Sequence, residues 1–281
     1  MKYTTGMHGI HALSLAPSST GWLTHSNQPK ILHVFDEVCN LINERREVLS
    51  IVNTEIGNGP FNLVIEEPVL FTKHLDVESK VSIQDTQIVL GNITITFAEA
   101  KTWNPIPKWD ELQKNKYKII KQLSECGLDT PSAIASGYST TTNLQSLISS
   151  LCSSIISQDL PTIRNTTSKL AGLGIGLTPA GDDFLMGAMY AAWVIHPQDT
   201  AKGIAEELAG IAAPLTTSLS GAGLRSAAKG EAGELWHEFF DALIEDKNIY
   251  VPMSKILSVG ETSGSDALAG FLETIGCWRQ S

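Results

Sequence analysis

In 172-GLGIGLTPAGDDF-184, four glycines, a Thr-Pro step and two adjacent aspartates stand directly ahead of the apolar run 185-LMGAMYAAWVI-195. Gly172, Gly174 and Gly176 alternate along the loop. That spacing allows positive φ and turns successive backbone N–H groups outward as an anion-binding nest. Thr178 then fits an N-cap, with Pro179 at the first helical position. Gly181, Asp182 and Asp183 fall in the first turn or so. An aspartate there complements the positive helix end by about 0.3–1 kcal/mol, and either one can also bond backbone N–H groups of neighbouring loops. Two side by side repel and raise each other's pKa, which the helix end alone does not explain. The functional reading makes Asp182 and Asp183 a catalytic pair that orients a substrate amide, moves a proton or holds a magnesium ion. Gly174, Gly176, Thr178 and Gly181 would then hold an anionic group. No G-K-[ST] follows, so this is not a Walker loop, and no strand precedes it, so the dinucleotide fingerprint is not met.

A second element echoes the first. Aligned with 176-GLTPAGD-182, 260-GETSGSD-266 matches Gly, Thr and Asp in register, and apolar residues follow in both. If two such helix starts face each other, their N–H groups and the hydroxyls of Thr262 and Ser263 form a pocket for a carboxylate or phosphate. The aspartates, Asp266 included, would accept from an N–H of the ligand. In 214-PLTTSLSGAGLRSAAKG-230, Thr216, Thr217 and Ser218 precede a helix on which Arg225 and Lys229 lie four apart. This is either a capped helix with a solvated basic edge or a place where Arg225 grips a carboxylate bidentately. The segment 55-EIGNGPFN-62 either offers N–H groups of Asn58 and Gly59 to a ligand or is a plain hairpin loop. The seven histidines include His8 and His11, three apart, but no H-E-x-x-H accompanies them, and a histidine metal site is not expected. No G-x-S-x-G elbow is present.

These residues need elements to position them. The chain has 281 residues, 42% of them hydrophobic, enough for one large domain or two small ones with a real core. In the first hundred residues VLSIV (48–52), NLVIE (62–66) and the alternating VSIQDTQIVLGNITITF (81–97) read as strands, with a hairpin at Gly91-Asn92. One helix is expected near 32–44, with Val34, Val38, Leu41 and Ile42 on one face. The prolines of 101-KTWNPIPKWDE-111 mark a boundary, placed at residues 105/106. Beyond it, 143-NLQSLISSLCSSIISQ-158 follows helical spacing, with Thr142 as a plausible N-cap. Further helices are expected near 160–171, 179–195, 201–212, 218–229, 231–245, 252–259 and 264–275, with Gly230, Gly260 and Gly276 at C′ positions. The fold class is α+β: a β-rich N-terminal domain (1–105) followed by a mostly α-helical C-terminal domain (106–281) carrying GxGxGLTPxGDD.

The formal net charge of -10 disfavours nucleic acid and anionic membrane as partners. Cys39, Cys126, Cys152 and Cys277 form no C-x-x-C pair and read as scattered buried thiols of a reducing compartment. With neither a signal-peptide core nor an apolar run near membrane-spanning length, a cytoplasmic location is expected.

GLGIGLTPAGDDFLMG resembles the signature of the AllH family. VLSIVNTEIGNGPFNLVI (48–65), TTSLSGAGLRSAAKGE (216–231) and GETSGSDALAGFL (260–272) are similar to that family too. The resemblance implies a subunit, beside two others, of an oxamate carbamoyltransferase in anaerobic allantoin breakdown, which turns oxalurate and phosphate into oxamate and carbamoyl phosphate. It departs at Ala180, where serine is expected, and at Glu261, where histidine or another polar residue is expected, which leaves room for a different ureido or amide substrate. The implied partners are a small anionic or ureido substrate and the other subunits of a hetero-oligomer. No cofactor is called for beyond magnesium, should Asp182 and Asp183 hold it. Two alternatives stand beside this one: a non-catalytic module that binds a small anion or stabilises an assembly, and a magnesium-dependent phosphotransferase.

Overall fold

The structure is a computed structural model and describes residues 9–125 and 142–280. It divides into two compact units, Met1–Pro105 and Ile106–Ser281. Strands fill the first and helices the second, so the fold is α+β.

In the first unit the described residues form a nine-stranded sheet: β1 (Ile10–Leu15), β2 (Lys30–Val34), β3 (Val38–Ile42), β4 (Val48–Val52), β5 (Asn62–Ile65), β6 (Val81–Gln84), β7 (Gln87–Leu90), β8 (Ile93–Thr96) and β9 (Lys101–Thr102). The order is β2-β3-β4-β5-β1-β8-β7-β6, and β9 pairs with β1. Leu41, Leu49, Ile51, Leu63, Ile65, Ile88, Leu90 and Ile95 are fully buried and make the core. Gly91-Asn92 turns β7 into β8 as expected, pairing Leu90 with Ile93. A second hairpin joins β6 to β7 through Asp85, which takes φ 47°.

Three readings are corrected here. The expected helix at 32–44 is the β2–β3 hairpin, closed by the Phe35 N–H to Val38 O bond at 2.8 Å. Its β-branched residues can pair with β4 from Val38 to Ile42, and cross-strand packing overrides a weak helical spacing. The segment 53–61 is not a hairpin loop, because β4 and β5 run parallel, Ser50 opposite Asn62 and Val52 opposite Val64. The link turns at Asn53–Ile56 and again at Gly57 (φ 77°), which carries the chain back along the strand it left. A helix that the sequence reading missed, α1 (Pro17–His25), begins with Pro at its first position.

The second unit contains α2 (Trp109–Lys114), α3 (Lys116–Glu125), α4 (Thr142–Ser157), α5 (Leu160–Leu170), α6 (Ala180–Ile195), α7 (Gln198–Ala212), α8 (Ser218–Ala228), α9 (Glu234–Ile244), α10 (Tyr250–Leu257) and α11 (Ser263–Gln280). Helix α2 and helix α3 were not foreseen. Helix α6 is the central post: from Gly181 to Ile195 every residue except Met186 is buried. Its Tyr190 and Trp193 join Trp109, Trp236, Phe239, Phe240 and Phe271 in one aromatic cluster of mostly tilted and edge-on rings. The indole N–H groups of Trp109 and Trp193 bond Gly230 O (2.8 Å) and Ala227 O (3.0 Å), so the end of α8 is capped from the core. Gly230 and Gly260 take the positive φ of helix-ending glycines, 74° and 61°. Gly276 does not end a helix. α11 runs on to Gln280, holding Trp278 against Tyr117 with ring centroids 5.3 Å apart. α4 begins at Thr142. His8 and Cys126 lie outside the described residues.

Candidate functional site

The site is built where three helices begin. α6 and α11 approach so closely that a Cβ on Gly187 would stand 1.8 Å from Ala267 O, and one on Gly270 would stand 2.0 Å from Phe184 O. Only glycine permits that crossing. It brings the two first turns together, and the hydroxyls of Thr178 and Ser263 bond at 2.7 Å. The two helix starts matched in the sequence therefore do face each other. Thr178 is not the N-cap: Pro179 takes that place with ψ 140°, its carbonyl accepting from Asp182 N–H, which frees the threonine hydroxyl to cross to α11.

The loop before α6 uses its glycines as expected, with φ of 69° at Gly172, 131° at Gly174 and 94° at Gly176. At Gly172 a Cβ would also meet Leu215 O at 2.8 Å, so the loop lies on the turn that precedes α8. Thr217 caps α8 by accepting from Ser220 N–H at 3.1 Å, and its own hydroxyl donates to Leu177 O at 2.5 Å. At the loop tip Ile175 is 91% exposed.

The two aspartates, alike in sequence, have different surroundings. Asp182 accepts from Gly172 N–H (2.8 Å) on one oxygen and from the hydroxyls of Thr216 and Ser220 (2.9 Å) on the other. It ties the glycine loop, the pre-α8 turn and α8 to α6, which is the work of a scaffold. Asp183 is 6% exposed, and its Oδ2 has no hydrogen-bond partner. Burial, then the neighbouring carboxylates Asp266 and Asp182, push its pKa up to about 8 against the pull of the Ser263 and Thr178 hydroxyls. Asp266, in the first turn of α11, is 1% exposed with both oxygens unpartnered. Burial raises its pKa, while the Thr262 hydroxyl, close by but outside hydrogen-bond geometry, favours the charged form.

Thus Thr178, Asp182, Asp183, Thr217, Ser263 and Asp266 stand at the three helix starts, the loop of Gly174 and Gly176 is tied there through Gly172, and Ser218 opens α8; Gly181 packs instead on Leu170 O, with its N–H bonded to Leu173 O. Arg225 is exposed two turns along α8, with its guanidinium folded back over Gly221. Asn58 and Gly59 belong to the first unit, where Asn58 Oδ1 accepts from Ser14 Oγ at 2.5 Å. Ser220 was missed; a hydroxyl three residues after the capping Thr217 was the available signal. Among the described residues no group of three or more His, Cys, Asp or Glu side chains could hold a metal ion.

Fold and site together define an α+β protein whose helical half closes two buried carboxylates under paired helix starts. Family models match both halves: one described as oxamate carbamoyltransferase subunit AllH over residues 170–275, and one described as the AllH family N-terminal domain over residues 11–102. The chain belongs to the AllH family, that of a subunit of oxamate carbamoyltransferase. No solved structure matches it. Among the described residues no helix is long and apolar enough to cross a membrane.

Proposed function

We propose that the chain serves a carbamoyl transfer in which oxalurate and phosphate give oxamate and carbamoyl phosphate, in allantoin breakdown, as one subunit of a hetero-oligomer. The observation that carries this reading is the unpartnered oxygen of buried Asp183 at the meeting of two helix starts. Phosphorolysis of a ureide needs phosphate held in line with the carbamoyl carbon, donors for the developing oxyanion and a proton for the leaving nitrogen. The N–H groups of the loop at Gly174 and Gly176 suit phosphate or oxyanion. Asp183 suits the proton, and Asp182 fixes the geometry. Arg225, exposed two turns along α8 with its guanidinium over Gly221, is not assigned to the oxalurate carboxylate.

The test is carbamoyl phosphate formation from oxalurate and phosphate by the complex purified from its native lysate, with the lone chain in parallel. Product from the complex, dependent on phosphate, supports the assignment; none from either sample refutes it. A second reading, an assembly module without chemistry, is favoured by exposed Ile175 at the loop tip. Under that reading Ile175→Asp weakens co-purification of the other subunits, and Asp183→Asn leaves turnover per assembled complex intact.

A further inference from the structure

Three buried carboxylate oxygens without donors, Oδ2 of Asp183 and both of Asp266, lie in the first turns of α6 and α11, two helix starts that the 2.7 Å hydrogen bond between the Thr178 and Ser263 hydroxyls joins. Acceptors so placed are costly unless something donates to them. The close backbone crossing at Gly187 and Gly270 packs the two helices directly against each other behind these first turns. Asp182, bonded three times, is not part of this unmet need.

We propose that Asp183 and Asp266 form a proton-sharing carboxylate pair that accepts from the N–H groups of an amide or ureide and gives its proton to the departing nitrogen. The inference rests on the function proposed above and adds Asp266 to its chemistry. The charged groups that act on Asp183 are Asp266 from α11 and Asp182 from its own helix, beside the hydroxyls of Ser263 and Thr178; the turn before α8 and α8 itself bring the hydroxyls of Thr216 and Ser220, both bonded to Asp182. Two neighbouring buried carboxyls do not both ionise at neutral pH, and their titration belongs to the pair. In the reaction a hydrogen phosphate oxygen bonds to the carbamoyl carbon. The C–N bond breaks and its electron pair stays on nitrogen, which takes the proton of the pair. The proton of the hydrogen phosphate then restores the pair, so atoms and charge balance and the protein ends as it began.

The experiment follows carboxyl protonation by infrared absorption from pH 5 to 10 in the full chain, as wild type, Asp183→Asn and Asp266→Asn. The expected result is one carboxyl still protonated at pH 7 in the wild type, and a downward shift of the remaining carboxyl in each variant. An unmoved titration in both variants overturns the pair, and either variant suffices if the other does not fold. In the assembled complex each substitution should lower kcat at least 100-fold with the KM for phosphate within about threefold; unchanged kcat overturns the proton role. If the wild-type complex transfers no carbamoyl group, the assigned function fails, and binding alone decides the pair. Oxalurate raising the Tm of the wild type but not of Asp266→Asn supports it, and an equal rise in both overturns it. A rise with magnesium alone that both variants lose overturns the pair in favour of a cation site.

Discussion

Replacing Asp183 with asparagine should stabilise the chain near and above neutral pH. Burial pushes the carboxyl up to about 8 in the folded chain, from the 3.8 of an exposed aspartate in the unfolded one. The folded state therefore holds a proton that the unfolded state has released. The contribution of this group is greatest below pH 3.8, falls by about 1.4 kcal/mol per pH unit as pH rises toward 8, and levels off above. By pH 7 roughly three units of that slope have accumulated, or about 4 kcal/mol. Asparagine has the shape of the protonated acid and does not titrate, so this loss disappears. Its amide brings two donors: one can serve the unpartnered oxygens of Asp266, and the other, left unmet, costs about 1–3 kcal/mol. The net gain at pH 7 is about 1–3 kcal/mol. Urea denaturation at pH 5, 7 and 9 would show the variant gaining on the wild type as pH rises. A difference that is constant with pH, or a variant less stable at all three values, would refute the reasoning.

Asp182→Asn should act in the opposite sense, because Gly172 N–H and the hydroxyls of Thr216 and Ser220 lose an ionic acceptor; a destabilisation of about 2–4 kcal/mol is expected in the same assay. Gly270→Ala puts a methyl group 2.0 Å from Phe184 O, so the helices must part, at about 3 kcal/mol or more by thermal unfolding. Cys277, whose thiol a hydrogen bond from the neighbouring Cys152 thiol lowers to about 7, should alkylate rapidly at neutral pH, whereas Cys39, pushed to about 12 by burial, should stay unmodified in the folded chain; peptide mass spectrometry distinguishes them.

Much of the helical half was legible because its signals are local. The apolar spacing of 143–158 fixed α4, and the near-continuous apolar run after Asp183 showed that α6 is buried on most sides. The match of 176-GLTPAGD-182 to 260-GETSGSD-266 marked two like helix starts, and the fold brings them together. What the sequence could not distinguish was Asp182 from Asp183. Their difference is made by donors that arrive from Gly172, Thr216 and Ser220, 10, 34 and 38 residues away in the chain. The thiols read as scattered include a neighbouring pair, Cys152 and Cys277, for the same reason: the helices that carry them meet only in the fold. In the strand half the errors concern partners at a distance. A helical spacing at 34–42 yielded to pairing with β4, and a turn-rich link read as a hairpin joins parallel strands, because the direction of pairing depends on where β5 finds β1.

The measurement that bears most directly on the account is single-turnover formation of carbamoyl phosphate from oxalurate and phosphate by complexes assembled to equal extent with wild-type chain or with Asp183→Asn. The account predicts that the variant assembles, remains folded and forms product at least 100-fold more slowly. Equal rates from the two complexes would contradict it and would leave the buried carboxylate as a structural residue.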